Sequence, residues 1–230
     1  MQSTTRKNGL RQDGFPSRLS PEAARAFESI KLTTRHPEGT VLFLEHEQPR
    51  GIYLIGSGRV KLSVSSRTGK TLITQIAGAG EIIGLTATLS GIECEATAET
   101  LYPSEISFIR REHFVRFLAQ FPEVYGLLIG QLNLQYGRAC EQLRTIGLSN
   151  TVQEKLARLF LNWSSDDKMP SNENELRVPL THEQIASCLG STRETVTRTL
   201  TQFKNKHLIT LKGVHVMISD RSALRAVSGD

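Results

Sequence analysis

Short runs of strand-forming residues separated by glycines fill residues 38–109, and this pattern constrains the fold more than any other feature of the chain. Residues 41–44, 51–55 and 71–76 are rich in aliphatic and aromatic side chains, and residues 60–64 alternate apolar with polar side chains. Such alternation is typical of a strand with one buried face. Many short strands with regular turns between them predict an antiparallel sandwich or a small barrel.

The period of the apolar residues changes to that of a helix near residue 111. Apolar residues at helical spacing then continue from 124 to about 148, with no proline or cluster of turn residues between them. A helix of this length exceeds what the core of one modest domain requires. Its apolar stripe therefore packs either against a second copy of the chain or against the β domain, and the pattern alone leaves both arrangements open.

The N-terminal segment is polar and contains Gly, Pro and Ser. Residues 1–18 are therefore predicted to form a flexible tail. The sequence Ser20-Pro21-Glu22 has the composition of a helix start, with a capping serine, proline at the first helical position and an acidic residue in the first turn. It predicts a helix over 21–30.

Two short helices joined by a tight turn are predicted in the C-terminal part of the chain. Thr181 and Gln184 have the spacing of a capping box, which starts the first helix. Gly190 supplies the turn, and either Ser191 or Thr192 caps the second helix. This arrangement is a helix-turn-helix, and two short strands are predicted to follow it as a hairpin.

The outer face of the second helix carries four polar residues that share one side near its N-terminus: Arg193, Glu194, Thr197 and Arg198. In a helix-turn-helix this end enters the major groove of double-stranded DNA. There an arginine binds the edge of guanine, and a glutamate accepts a hydrogen bond from cytosine. The alternative interpretation is a solvated helix face with an incidental ion pair between Glu194 and Arg198.

The local charge supports binding to DNA. Residues 191–225 contain seven basic and two acidic residues, and seven minus two equals the net charge of +5 of the whole chain. Basic side chains and helix N-termini bind phosphate groups without reading the base sequence. The residues predicted to contact phosphates, or to cap the helices beside them, are Thr181, Ser191, Thr192, Lys204 and Lys212.

The composition excludes several classes of protein. No apolar run approaches the ~20 residues of a membrane span, and no apolar run follows the basic residues of the N-terminus, so neither membrane association nor secretion is expected. The dispersed Cys94, Cys140 and Cys188 fit neither a disulfide framework nor a metal site. No catalytic motif is present. We therefore expect a cytoplasmic protein that is not an enzyme.

With these features the chain resembles the CRP/FNR family of bacterial transcription regulators over about residues 30–225. The resemblance rests on the glycine-rich strands at 37–64, on GAGEIIG at 78–84, on the long helix and on GSTRETVTR at 190–198. It implies a homodimer that acts with RNA polymerase. It also implies an α+β fold with three parts: a cyclic-nucleotide-binding-type β-roll (a jelly roll) over 19–121, a long dimerisation helix over 122–150, and a winged helix-turn-helix over 151–230.

The segment STRETVTR resembles the recognition helix of the cyclic-AMP receptor branch of the family. The FNR branch arranges its glutamate and serine differently. The resemblance implies that Arg193, Glu194 and Arg198 read a TGTGA-like half-site of a DNA palindrome.

The effector site departs from the pattern of the cyclic-AMP binders. Leu85 replaces a glutamate that bonds the ribose, and Glu95 and Ala96 replace an Arg-Ser pair that holds the cyclic phosphate. A carboxylate repels a phosphate, which requires positive charge or hydrogen-bond donors. A Thr-Ser pair of the long helix is also replaced. We therefore predict no tight binding of cyclic AMP at the degenerate positions Gly80, Gly84, Leu85, Glu95, Ala96, Ala139 and Cys140.

Other signals stay open for such a regulator. No cofactor is predicted, although Cys94 lies where some family members ligate haem, with His46 or His113 as an assisting ligand. A thiol-based redox signal at Cys94 or Cys140 and an unidentified small-molecule effector are further alternatives. A cyclic nucleotide is the remotest one. An iron–sulfur cluster held by four cysteines is excluded, since the chain has three.

Overall fold

The computed structural model describes residues 14–165, 175–177, 180–212 and 215–229. The chain forms two compact units. The first comprises residues up to 64 together with 75–137, and the second comprises 65–74 together with the residues from 138 onward. The division falls inside the long helix, whereas the sequence-based prediction treats residues 122–150 as a segment of its own.

Eight short strands form two four-stranded antiparallel sheets, which confirms the predicted sandwich. One sheet has the strand order β1-β8-β3-β6 and the other has the order β2-β7-β4-β5. The turn between β4 and β5 contains Gly69 with a φ of +83°, a conformation that favours glycine. The strands are β1 (Leu32–His36), β2 (Val41–Phe43), β3 (Gly51–Ser57), β4 (Arg59–Ser65), β5 (Thr71–Gly78), β6 (Ile82–Ile83), β7 (Thr97–Thr100) and β8 (Ser104–Arg110).

Four helices accompany these strands: α1 (Pro21–Ile30), α2 (Leu85–Ser90), α3 (Arg111–Gln120) and α4 (Val124–Gly147). The predicted start of α1 is confirmed, because the Ser20 hydroxyl accepts a hydrogen bond from the Ala23 amide at 3.2 Å. The predicted long helix is α4, with 24 residues. Helix α2 has no counterpart in the sequence-based prediction. It lies between Gly84 and Gly91, which both adopt the left-handed conformation.

The core of the first unit joins the β-roll to the first half of α4. Phe27 of α1 is 1% exposed, and its ring centroid lies 5.4 Å from that of Phe117. Leu85 belongs to the same buried cluster, as do Val124 and Leu128 of α4. Burial of apolar surface, worth roughly 25 cal/mol per Å², therefore holds α4 against the roll.

The N-terminal segment 1–18 is predicted to be a flexible tail, but the structure shows an ordered turn at its C-terminal end. Residues 1–13 of this segment lie outside the described residues. Phe15–Arg18 form a short 3-10 turn. Phe15 is 6% exposed, and its ring packs edge-on against Phe27 with a centroid distance of 5.5 Å. Its amide also donates to the carbonyl of Gly80 at 3.3 Å. Burial of the Phe15 ring in the core thus fixes the end of an otherwise polar segment.

The second unit contains the predicted helix-turn-helix and a three-stranded antiparallel sheet of order β10-β11-β9. Strand β9 and helix α8 were not predicted. The turn between the two strands of the predicted hairpin lies outside the described residues, because residues 213 and 214 are not among them. No helix that the structure describes, in either unit, is long and apolar enough to cross a membrane. The elements are α5 (Val152–Ser165), β9 (Glu175–Arg177), α6 (His182–Leu189), α7 (Arg193–Asn205), β10 (Ile209–Lys212), β11 (His215–Ile218) and α8 (Arg221–Ser228).

Replacement of Phe15 by alanine tests whether the end of the N-terminal segment belongs to the core. We expect Phe15→Ala to lower the free energy of unfolding by about 3 kcal/mol, because it leaves a cavity against Phe27. Urea denaturation followed by circular dichroism measures this loss. The matched control is Leu32→Ala, since Leu32 is 65% exposed, and it should cost less than about 0.5 kcal/mol. Equal stability of Phe15→Ala and the natural chain would show that Phe15 is not buried.

Candidate nucleic-acid interface

The first helix of the helix-turn-helix begins at the predicted capping box. The Thr181 hydroxyl accepts a hydrogen bond from the Gln184 amide at 3.1 Å, and the Gln184 side chain accepts one from the Thr181 amide at 2.8 Å. Gly190 ends the helix with a φ of +62°, which favours glycine. The start and end of α6 are therefore set by local hydrogen bonds and backbone conformation.

The second helix begins at Thr192, which settles the choice between the two predicted caps. The Thr192 hydroxyl accepts a hydrogen bond from the Thr195 amide at 3.3 Å. Val196 and Leu200 face inward and are at most 3% exposed. They bury the inner side of α7, so its other side is left for solvent or for a ligand.

All four predicted base-reading residues are exposed on this outer side, and three of them make no side-chain hydrogen bond or ion pair within the described residues. These three are Arg193, Glu194 and Arg198. Within the described chain, no ion pair joins Glu194 to Arg198, so the incidental ion pair of the alternative interpretation is not formed, while the solvated helix face is common to both interpretations. The three side chains therefore keep their hydrogen-bonding groups available at the N-terminal end of α7.

Thr197 differs from these three, because its hydroxyl is used within the protein. It donates to the carbonyl of Arg193 at 2.9 Å, and it lies 2.9 Å from Nδ1 of His182 in a second hydrogen bond. Sequence reasoning missed this role of His182, which links the first turn of α6 to α7. The geometry gives Thr197 a part in positioning the two helices.

The residues predicted to contact phosphates occupy different settings. Lys204 and Lys212 are exposed at the ends of α7 and β10. Thr181 and Thr192 use their hydroxyls as helix caps. Ser191 is half-buried in the turn. The two lysines can therefore offer positive charge to a backbone phosphate. The two threonine hydroxyls instead cap the N-termini of α6 and α7.

The positions of the degenerate effector pocket hold no cationic group. Leu85 is 2% exposed within the core, and Ala96 is 5% exposed. Glu95 is exposed and carries the charge that a phosphate avoids. Gly80 and Gly84 have φ values of +83° and +70°. The side chains that would bind a cyclic nucleotide are therefore absent from these positions.

Two glutamines of α4 bind strand β6, which lies between Gly80 and Gly84. The side-chain amides of Gln131 and Gln135 both donate to the carbonyl of Ile82, at 2.8 and 3.0 Å. They lie four residues apart, so they share one face of the helix. Sequence reasoning missed this pair, although the spacing was the available signal. The protein's own amides therefore hold α4 on the roll.

The opposite face of α4 presents a regular seam to solvent. Its members follow one another at alternating spacings of three and four residues, the heptad pattern of a coiled coil. Ile129, Tyr136 and Leu143 are 64%, 71% and 69% exposed. Ala139, beside the seam, is exposed, and Cys140 within it is half-buried. The seam consists of Gly126, Ile129, Asn133, Tyr136, Cys140, Leu143 and Gly147.

The other two cysteines are buried. Burial, with Glu95 and Glu47 nearby, raises the pKa of the Cys94 thiol. Burial raises the pKa of the Cys188 thiol to about 12. A thiol with a raised pKa stays protonated near neutral pH and reacts slowly, because the thiolate is the nucleophile. These settings disfavour a redox signal at Cys94.

Haem does not fit the residues around Cys94. The cavity that this cysteine lines has a volume of about 200 Å³, below the ~300–1,000 Å³ of pockets for drug-sized ligands. His46 is exposed between Glu45 and Glu93, each 3.7 Å away. In the part of the chain that the structure describes, no three His, Cys, Asp or Glu residues converge as metal ligands.

Two family models match the chain, one over the β-roll and the other over the part that contains the helix-turn-helix. A cyclic nucleotide-binding domain matches residues 33–121, and a Crp-like helix-turn-helix domain matches residues 154–227. The solved structure of FixK2 from Bradyrhizobium japonicum has the same fold, with a TM-score of 0.76 at 19% identity, over 86% of this chain and 97% of that one.

Known regulators are similar along almost the whole chain. The transcriptional activator protein Anr of Pseudomonas protegens is 26% identical over 220 residues, which cover 94% of this chain and 88% of that protein. A CRP-like cAMP-activated global transcriptional regulator of Mycobacterium tuberculosis is 26% identical over 218 residues, which cover 94% of this chain and 96% of that protein. These relatives are transcription regulators, not enzymes. The β-roll, the long helix and the helix-turn-helix, together with these matches, show that the chain belongs to the CRP/FNR family of transcription regulators.

Proposed function

We propose that this regulator is a cytoplasmic homodimer that reads a TGTGA-like palindrome in double-stranded DNA and acts with RNA polymerase. The observation that carries the proposal is the set of three exposed polar side chains at the N-terminal end of α7. Arg193, Glu194 and Arg198 are free of internal ion pairs among the described residues. Such an end of a recognition helix is the part that enters the major groove.

The chemistry of these three side chains matches base edges. Each arginine has a planar guanidinium that can bond O6 and N7 of guanine together, and the Glu194 carboxylate can accept from N4 of cytosine. Lys204 and Lys212 supply phosphate contacts that fix the register. Thr197 supports the reading residues, because its bond to His182 holds α7 on α6.

The seam of α4 supports the homodimer. Three large apolar side chains, Ile129, Tyr136 and Leu143, are exposed along one line, and the described residues leave them uncovered. A second copy related by a twofold axis would bury the same line of residues on both helices. A homodimer also has two recognition helices, one for each half-site of a palindrome, and such half-sites lie roughly 34 Å apart.

The effector proposed for this protein is not cyclic AMP. The Mycobacterium tuberculosis relative is named as cAMP-activated. In this chain, Leu85 is buried in the core and Glu95 is exposed, so neither position offers a donor to a cyclic phosphate. The bonds of Gln131 and Gln135 to Ile82 support a roll that holds α4 without a nucleotide.

Replacement of Arg198 tests the reading of DNA. We expect Arg198→Ala to weaken binding to a TGTGA…TCACA duplex by about 1–3 kcal/mol for each half-site, with little effect on a scrambled duplex, because one bidentate base contact is lost. Fluorescence anisotropy at about 0.15 M salt measures both duplexes.

Two matched variants separate base reading from charge. Lys204→Ala should weaken the specific and the scrambled duplex equally, since a phosphate contact carries no sequence information. Arg225→Ala removes an exposed arginine from α8 and should leave selectivity unchanged. If Arg198→Ala behaved like Lys204→Ala, Arg198 would be a phosphate contact and the proposed reading of bases would be wrong.

Oxidative cross-linking tests the seam. In a parallel coiled-coil dimer, Cys140 faces its own copy, at a Cα separation within the range of a disulfide. We expect mild oxidation to give a covalent dimer on a non-reducing gel, Cys140→Ser to abolish it, and Cys188→Ser to leave it unchanged. Cross-linking that persists in Cys140→Ser, or a monomer in sedimentation experiments, would contradict the proposed dimer.

A thermal-shift titration tests the degenerate nucleotide pocket. We expect no change in melting temperature at about 1 mM cyclic AMP, whereas a ligand with a Kd of about 10 µM would stabilise the protein by roughly 2.7 kcal/mol at that concentration. DNA binding should be equally insensitive. A clear rise in melting temperature would show that Leu85, Glu95 and Ala96 do not prevent nucleotide binding.

A further inference from the structure

A cavity of about 200 Å³ lies in the β-roll beside strands β2 and β3 and the glycine that precedes α2. It belongs entirely to the first unit. A cavity of this size, below the ~300–1,000 Å³ of drug-sized pockets, suits a single ring or a short chain. The residues that define its chemistry are Phe43, Glu47, Arg50, Tyr53, Gly84 and Cys94.

The apolar part of the lining is aromatic. The ring centroids of Phe43 and Tyr53 lie 5.5 Å apart, and the Tyr53 hydroxyl donates to the carbonyl of Leu42 at 3.0 Å, which fixes its ring. Cys94 is 4% exposed and adds the surface of a protonated thiol. At Gly84, a Cβ atom would come within 3.5 Å of the Phe43 ring. Aromatic surface of this kind favours a flat, apolar ligand.

The charged part of the lining consists of one carboxylate, that of Glu47, and one guanidinium, that of Arg50. The Glu47 carboxylate accepts a hydrogen bond from the Leu44 amide at 3.1 Å, so part of its capacity is used internally. Arg50 is exposed, and no carboxylate of the described residues lies within ion-pair distance of it. Burial raises the pKa of the Tyr53 hydroxyl, the positive charge of Arg50 lowers it and the negative charge of Glu47 raises it, so both charged side chains lie near the aromatic ring.

We propose that this cavity binds a small aromatic carboxylate, with its ring against Phe43 and Tyr53 and its carboxylate on Arg50. The guanidinium fork matches the two oxygens of a carboxylate, which gives directional recognition. The cavity shares Gly84 with the degenerate nucleotide positions, whereas Leu85, Glu95 and Ala96 are not among its lining residues.

The cavity is placed so that its occupancy can act on α4, an extension that rests on the proposed function as a regulator. Gly84 borders the cavity and directly precedes Leu85, which shares the buried cluster of Val124 and Leu128. A ligand against Gly84 therefore contacts the short segment that joins the cavity to the surface under α4. Ligand binding that shifts this segment changes the support of the helix.

Three isosteric probes test the charge preference by isothermal titration calorimetry on the full chain without DNA. Benzoate, benzamide and benzamidine share one shape and differ in charge. We expect benzoate to bind at least about fivefold more tightly than benzamide, because its hydrogen bonds to an exposed guanidinium are charge-assisted. Benzamidine should bind most weakly, because Arg50 repels it. Equal affinity for all three, or no heat from any of them up to about 20 mM, overturns the proposal.

A pair of arginine variants tests the assigned contact. Arg50→Gln should reduce the affinity for benzoate to that for benzamide and leave benzamide binding unchanged. Arg35→Gln removes the same charge from an arginine of β1 that is 89% exposed and lies outside the cavity, and it should leave benzoate binding unchanged. If both variants weaken benzoate equally, the effect is general electrostatics and the assigned site is wrong.

Amide chemical shifts of the deuterated, ¹⁵N-labelled protein locate the ligand independently of any variant. Gly51 and Gly84 line the cavity and should shift with benzoate, whereas Gly39 and Gly69 lie outside it and should not. Shifts confined to other residues overturn the site. The anisotropy experiment with DNA is separate, so binding of benzoate without recognition of the TGTGA duplex would refute the proposed function and leave the cavity assignment standing.

Discussion

The attachment of α4 to the β-roll is the interaction on which the rest of the structure depends. Burial of Val124 and Leu128 stabilises the contact between the helix and the roll. The hydrogen bonds of Gln131 and Gln135 to the carbonyl of Ile82 fix which face of the helix is turned toward the roll. Once this inner face is fixed, the opposite face of the helix is fixed as well. The seam is exposed because it lies on the side of the helix opposite to the side that packs on the roll.

The same attachment bears on regulation. At the degenerate nucleotide positions, Leu85 contributes apolar surface to the core and offers no hydrogen-bond donor to a ligand. The glutamine pair gives the helix polar contacts that belong to the chain itself. Control of the helix can then come from the neighbouring cavity, because Gly84 is common to the cavity and to the segment that ends at Leu85.

The helix-turn-helix was predictable because its signals are local. A capping box at Thr181 and a left-handed glycine at Gly190 act within one or two turns of helix, so the sequence contains both partners of each interaction. The helices α2 and α8 and the strand β9 were missed for the opposite reason. They are three to eight residues long, and elements of that length are stabilised mainly by tertiary contacts rather than by their own periodicity.

The sequence by itself determined the class of fold, the helix-turn-helix and the three exposed side chains at the start of α7, because periodicity, caps and charge are properties of neighbouring residues. Only the tertiary structure decided that Phe15 joins the core, that Thr197 is engaged by His182, and that a cavity with Arg50 at its edge lies beside Gly84. These features join residues far apart in the chain. Their existence depends on packing, which no local pattern encodes.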